Sequence, residues 1–193
     1  MKVVLINGSR REKGCTYTAL SEIARVLNGN GIDTEIFHVG LKAVNGQINE
    51  IVKEVANAME TADAMIVGSP VYYASPSGEV IAFLDRLFTT AEDVLTLKPA
   101  ASIASARRAG TTATLDVLNK YFMYAQMPVI SSRYWNMVHG SNPDDVMKDE
   151  EGLQIMRTIG TNMSWILKSI ETGRKYGVEQ PIIEDKIFTN FIR

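Results

Sequence analysis

Apolar residues fall along the chain in two alternating rhythms. Short, largely apolar runs recur at 3–6 (Val-Val-Leu-Ile), 62–68 (Ala-Asp-Ala-Met-Ile-Val-Gly) and 100–106 (Ala-Ala-Ser-Ile-Ala-Ser-Ala). They are too short for helices and rich in β-branched or small residues, so each predicts a buried strand. The run 33–39 (Asp-Thr-Glu-Ile-Phe-His-Val) alternates partly and predicts a strand nearer a sheet edge, and 128–131 (Pro-Val-Ile-Ser) predicts a fifth. Between these runs the spacing turns helical. Leu20, Ile23, Ala24 and Leu27 share one face, as do Ile51, Val52, Val55 and Met59, and Val80, Phe83, Leu84 and Leu87. A shorter helix is predicted over 115–123, and a long one over 150–175 with Leu153, Met156, Ile159, Met163, Ile166, Leu167 and Ile170 inward. Asn28-Gly-Asn-Gly31 and Gly177 are helix stops, while 40–49 and 143–145 read as connector and surface loop.

Five strands alternating with helices predict an α/β fold with a parallel sheet. Right-handed crossovers put helices on both faces, which makes the sheet doubly wound. Such sheets bind ligands outside the strand carboxyl ends, where the strand order switches. The loops at those ends are 7–16, 69–78, 105–112 and 133–140, and they are the loops richest in Ser, Thr, Tyr, Gly and Arg.

In the first of them a strand runs through Gly8, Ser9, Arg10, Arg11, Lys13 and Gly14 into a helix starting near Thr16. The first N–H groups of a helix lack intrahelical partners and carry partial positive charge. A phosphate placed there takes hydrogen bonds from them and from hydroxyls such as Ser9, Thr16 and Thr18. Arg11 or Arg10 adds a bidentate contact. A Walker loop would end Gly-Lys-Ser/Thr, and a dinucleotide fingerprint would hold three glycines at fixed spacing. This loop ends Lys13-Gly14-Cys15-Thr16 with only two glycines, so the terminal monophosphate of a larger cofactor fits better. The second loop sets Tyr72 and Tyr73 after a strand, a wall suited to a flat heteroaromatic ring. The third, 107–112 (Arg-Arg-Ala-Gly-Thr-Thr), meets another helix N-terminus that faces the far edge of such a ring.

Composition narrows the field. The 193 residues are 46% hydrophobic and 22% charged, which suits a single globular domain over 1–193. A net charge of −2 gives no basic field for nucleic acid or anionic membrane. One cysteine excludes a disulfide framework and a cysteine-based metal cage, and no metal site is expected. No apolar span is long enough for a bilayer and no signal peptide precedes the first strand, so a cytoplasmic location is expected.

Asn7-Gly-Ser-Arg-Arg-Glu-Lys-Gly-Cys-Thr16, Gly68-Ser-Pro-Val-Tyr-Tyr-Ala-Ser-Pro-Ser-Gly-Glu79 and Phe83-Leu-Asp-Arg-Leu87 stand at a fixed separation. Together they resemble the NADPH-dependent FMN reductase and iron–sulfur flavoprotein family of flavodoxin-like proteins. The resemblance continues through 107–112 and 134–140, up to about residue 175. It implies a five-stranded parallel sheet of order 2-1-3-4-5 and FMN bound without covalent attachment. By motif position, Ser9, Arg11, Cys15, Thr16 and Thr18 would surround the phosphate. Pro70, Val71, Tyr72, Tyr73 and Ser77 would border the isoalloxazine, with Ala106, Arg107 and Gly110 along its other side. Iron–sulfur members carry a cysteine cluster after the second strand; here 40–49 has none, so no cluster is expected.

The implied activity is FMN-dependent oxidoreduction. NADPH or NADH is the donor and a quinone, azo compound or flavin the acceptor, with no side chain needed as a nucleophile. The alternative is a flavodoxin-type electron carrier reduced by a partner protein, which the weak net charge supports little. Cys15 is either a reactive thiolate at a helix N-terminus or a small residue facing the phosphate through its backbone. His139 is either a proton donor at the cofactor edge or a structural imidazole. The segment 181–193 carries Ile182, Ile183, Phe188, Phe191 and Ile192, too many apolar groups for a loose end. It is expected to dock, and a homodimer or homotetramer is expected with it.

Overall fold

The computed structural model describes residues 1–189, so Phe191 and Ile192 of the expected docking tail lie outside the described residues. The first strand, β1 (Lys2–Asn7), is buried on both faces and leads through a loop into α1 (Cys15–Gly29). Then come β2 (Asp33–His38), α2 (Gly40–Val44), α3 (Ile48–Thr61) and β3 (Ala64–Tyr72). A two-residue strand, β4 (Ser75–Pro76), folds back antiparallel on the end of β3. The second half runs α4 (Gly78–Thr90), α5 (Glu92–Leu95), β5 (Ala100–Ala106), α6 (Thr111–Tyr124), β6 (Met137–His139), α7 (Pro143–Lys148) and α8 (Glu150–Lys175).

The main sheet is parallel in the order β2-β1-β3-β5-β6, with β4 off its path. Counted without β4, this is the expected five-stranded order. Strand periodicity sorts the core into two layers. Val4, Ile6, Met65 and Val67 point to one face and pack under α3, α4 and α6. Val3, Leu5, Ala64, Ile66, Ala101 and Ile103 point to the other, under α1 and α8. β2 is the half-exposed edge strand that its partial alternation predicts.

The fifth strand is corrected. It is Met137–His139, not 128–131. Around 128–131 there is a single bridge, Ala100 to Val129, in which Ala100 N donates to Pro128 O and Ile130 N donates to Ala100 O. The chain then detours and rejoins, with Met137 beside Ala104. Eight steps along this edge therefore match four along β5. The detour is tied down by Ser132, whose hydroxyl donates to Tyr134 O (2.7 Å) and bonds Asn136 Oδ1 (2.8 Å). Asn162 Nδ2 of α8 donates to Ser131 O (2.8 Å). Connector 40–49 contains α2, loop 69–78 contains β4, and α7 begins within loop 143–145.

Beyond α8 the tail reaches the opposite face of the sheet. Lys186 Nζ bonds both Glu92 carboxylate oxygens (2.6 and 2.9 Å) and lies 4.5 Å from the Tyr124 ring centroid. Ile182, Ile187 and Phe188 remain exposed. Among the described residues, no helix is long and apolar enough to cross a membrane.

Candidate functional site

β1 ends in Asn7, a buried amide that shapes the loop after it. Its Oδ1 accepts from Ser9 N (3.1 Å) and its Nδ2 donates to Glu12 O (2.8 Å), curling the loop back on itself. Ser9 Oγ accepts from Arg11 N (3.1 Å), and His38 Nε2 donates to Ser9 O (2.7 Å) from the end of β2. Gly40 lets α2 close on this loop, since a Cβ there would collide with the Ser9 carbonyl. Arg10 turns away to Glu79 (3.5 Å), leaving Arg11 facing inward.

α1 starts without a side-chain cap. Gly14 precedes it, no acidic residue stands in its first turn, and its first bond is Thr18 N to Gly14 O (3.0 Å). The N–H groups before Thr18 therefore have no intrahelical acceptor. α6 opens the same way, after Gly110 at φ +98, again with no side-chain cap and no acid. α4, α7 and α8 differ: Ser77, Asn142 and Asp149 cap them.

At the open start of α1 lies a cavity of about 300 Å³, at the carboxyl end of the sheet. Ser9, Arg11, Gly14, Cys15 and Thr16 form one wall. Pro70, Val71 and Tyr72 form the second, Ser105, Ala106 and Arg107 the third, and Gly140 with Ser141 close it. No carboxylate lines it. Two arginines, several hydroxyls and an uncapped helix start make a donor set fitted to an anion. Thr16 and Ser105 hydroxyls bond each other across the floor (2.8 Å), joining α1 to β5.

Cys15 is half-buried, its thiol donating to Gly140 O (3.7 Å). Burial pushes this thiol above its ordinary value, outweighing the backbone hydrogen bond and Arg11, while Asp145 adds in the same direction. Of the two roles open to Cys15, the neutral thiol is the one the structure favours.

Four of the expected site residues stand away from the cavity lining. Thr18 donates its hydroxyl to Gly14 O (3.2 Å) within α1. Ser77 is buried, donating to Gly8 O (2.9 Å) and accepting from Val80 N (3.3 Å) as the α4 cap. Gly110 packs on the turn of the β3–β4 hairpin, where a Cβ would meet Ala74 at 2.7 Å and Val71 at 2.8 Å. Tyr73 occupies that turn and is fully exposed. Tyr73 and Ala74 both hold positive φ (51° and 57°), a strain of about 1–3 kcal/mol each for residues with a Cβ. His139 lies outside the lining, its Nε2 donating to Arg108 O (3.2 Å). Four lining residues, Gly14, Ser105, Gly140 and Ser141, are not among the expected cofactor contacts, although the first three lie in the loops 7–16, 105–112 and 133–140 that the sequence pattern picks out. Ser105 carried a signal, a hydroxyl at the carboxyl end of an otherwise small and apolar strand.

A sheet of this order, with an anion cradle at the β1/β3 switch point, defines the flavodoxin-like class. The model of the NADPH-dependent FMN reductase family matches residues 1–142. The chain belongs to that family, and it is an FMN-dependent oxidoreductase. It is 26% identical over 195 residues to an iron-sulfur flavoprotein of Methanocaldococcus jannaschii, covering 89% of this chain and 100% of the relative. It is 28% identical over 153 residues to the FMN reductase (NADPH) of Escherichia coli, covering 75% of this chain and 74% of that enzyme. Among solved structures, RosB with bound 8-demethyl-8-formylriboflavin-5'-phosphate superposes with a TM-score of 0.72 at 12% identity, covering 100% of this chain and 94% of RosB.

Proposed function

We propose that the cavity holds FMN with its phosphate at the start of α1 and its ring system between the Pro70–Tyr72 and Ala106–Arg107 walls. The observation that carries this is the lining itself: basic, hydroxyl-rich, free of carboxylates and set on an uncapped helix. Ser9, Thr16 and Arg11 supply side-chain donors to the phosphate, and Cys15 contributes through its backbone N–H. Thr18, Ser77 and Gly110 act one step back, fixing the helix start, the loop floor and the hairpin. Arg107 and the α6 N-terminus present positive charge to the far edge of the ring.

Bound there, FMN would supply the two-electron chemistry that links NADPH or NADH to a quinone, azo compound or second flavin. The chain's residues orient the ring, neutralise the phosphate and leave one side open to solvent. Cysteine-held iron–sulfur chemistry has no ligand set here, since the sequence contains one cysteine. The expected result is a yellow protein whose colour bleaches anaerobically with NADPH or NADH. Arg11→Ala should weaken FMN binding roughly tenfold or more, as loss of a charge-assisted contact does. Failure of excess FMN to quench on the folded wild type overturns the reading.

The reading extends to assembly as a homodimer or homotetramer in which the tail from residue 181 covers a second copy. Its support is the row of exposed apolar side chains, Ile182, Ile187 and Phe188, on a segment already anchored at Lys186.

A further inference from the structure

Tyr73 is set out where its own subunit gives it no contact to make. It is the first residue of the two-residue turn between β3 and β4, in the left-handed region at φ 51, and its side chain is fully exposed. Ala74 follows at φ 57 and is pressed against Gly110, so the turn is held from behind. Asn-Gly is the pair that such a turn accepts with least strain. Tyr-Ala serves the backbone poorly, and a fully exposed ring buries nothing that offsets the strain. The three residues directly before Tyr73 matter here: Pro70, Val71 and Tyr72 line the cavity. Strain and full exposure therefore coincide in one side chain, next along the chain to a wall of the cavity, and strained positions of this kind gather at functional sites.

We propose that Tyr73 is a substrate contact: its ring packs against the planar aromatic ring of the molecule that exchanges electrons with the cofactor. This rests on the cavity being the FMN site. Aromatic pairs gain from offset or edge-to-face packing, and a tyrosine held by a tight turn has little freedom to lose on binding. The nicotinamide of the donor and a quinone or azo acceptor share the chemistry that such a ring recognises. Tyr73 thereby selects planar aromatic partners over small acceptors of other shape.

The test compares wild type, Tyr73→Ala, Tyr73→Phe and Ala74→Gly as FMN-loaded proteins. FMN affinity is read by fluorescence quenching, reduction by NAD(P)H by anaerobic stopped flow, and turnover with a naphthoquinone and with ferricyanide, which has no ring to stack. Tyr73→Ala should keep FMN affinity within twofold. It should lower kcat/KM for the naphthoquinone about three- to tenfold, through KM, and leave ferricyanide unchanged. Tyr73→Phe should restore the quinone value. Ala74→Gly relieves strain and keeps the ring, so it should raise Tm by about 2–4 °C with unaltered kinetics. A matching rise in the NAD(P)H concentration needed for half-maximal reduction assigns the contact to both substrates; an effect on one step alone assigns it to that one. The proposal is overturned if Tyr73→Ala leaves both steps within twofold, if ferricyanide suffers equally, or if the variant sheds FMN. A changed mass by light scattering would overturn it too, making the ring a subunit contact. Absence of FMN uptake by wild type sinks the cofactor reading and this one with it, whereas normal uptake with unchanged kinetics sinks this one alone.

Discussion

Cys15 illustrates how local surroundings decide chemistry that residue type leaves open. A helix N-terminus and Arg11 both favour a thiolate, yet burial outweighs them and the thiol stays neutral at pH 7. Alkylation by iodoacetamide should therefore be slower than for a free thiol at neutral pH, accelerate only at a pH above that at which an ordinary thiol ionises, and slow further when FMN fills the cavity; fast labelling at pH 7 would contradict this. Glu22 makes the opposite shift. Arg25 first, then Arg157 across the α1–α8 contact, hold its carboxyl below the ordinary 4.5 against the opposing effect of burial. A carboxylate depressed on folding adds stability above its unfolded value and loses it as pH falls through the folded one. Glu22→Gln should thus lower the urea midpoint at pH 7, and the gap to wild type should close below about pH 4. Motif position singled out Ser9, Arg11, Thr16 and Tyr72, and all four line the cavity. It could not reveal that the Ser77 hydroxyl is already taken by Gly8 and Val80, because that depends on how two distant loops meet.

At the level of elements, the strands and long helices were legible because burial on both faces or on one stripe leaves a periodic record. α2, α5 and α7 have four to six residues each, too few for a period to register. The last strand was misplaced for a different reason. Pro128-Val-Ile-Ser131 has the apolar content of a strand, but that content is shared between two short pairing segments separated by the detour. The β3–β4 hairpin was hidden because its turn residues, Tyr73 and Ala74, are not the ones such turns favour. Its backing is a testable element. Gly110→Ala would force a Cβ into Ala74 and Val71 at a positive φ. A loss of about 1–3 kcal/mol is expected in urea unfolding, together with weaker FMN binding as the hairpin shifts. Ser77→Ala, which removes the α4 cap, should cost about 1–2 kcal/mol in the same assay.

For the whole molecule, the parallel, doubly wound sheet follows from strand pattern and handedness, whereas its strand order is implied by the resemblance; the cavity lies at the carboxyl end of that sheet. The tail could not be placed from sequence, since its apolar residues fit docking on its own subunit or on another. The structure ties it by Lys186 to Glu92 and Tyr124, and leaves its apolar side chains outward. Removal of 181–193 should reduce the light-scattering mass of the wild-type assembly while FMN still quenches; an unchanged mass rules out an interface made by the tail.

The detour at 131–136 also governs what the molecule presents to its neighbours. Among the described residues β6 is the outermost strand on its side, and a bare sheet margin is a template on which another chain can lengthen the sheet. Here the margin offers a short stretch around Val129, breaks where the chain loops out, and resumes at Met137. An extended intruder therefore finds two short runs of backbone groups with a loop between them instead of one continuous row. Seeded fibril growth from this side should accordingly fail even at high concentration.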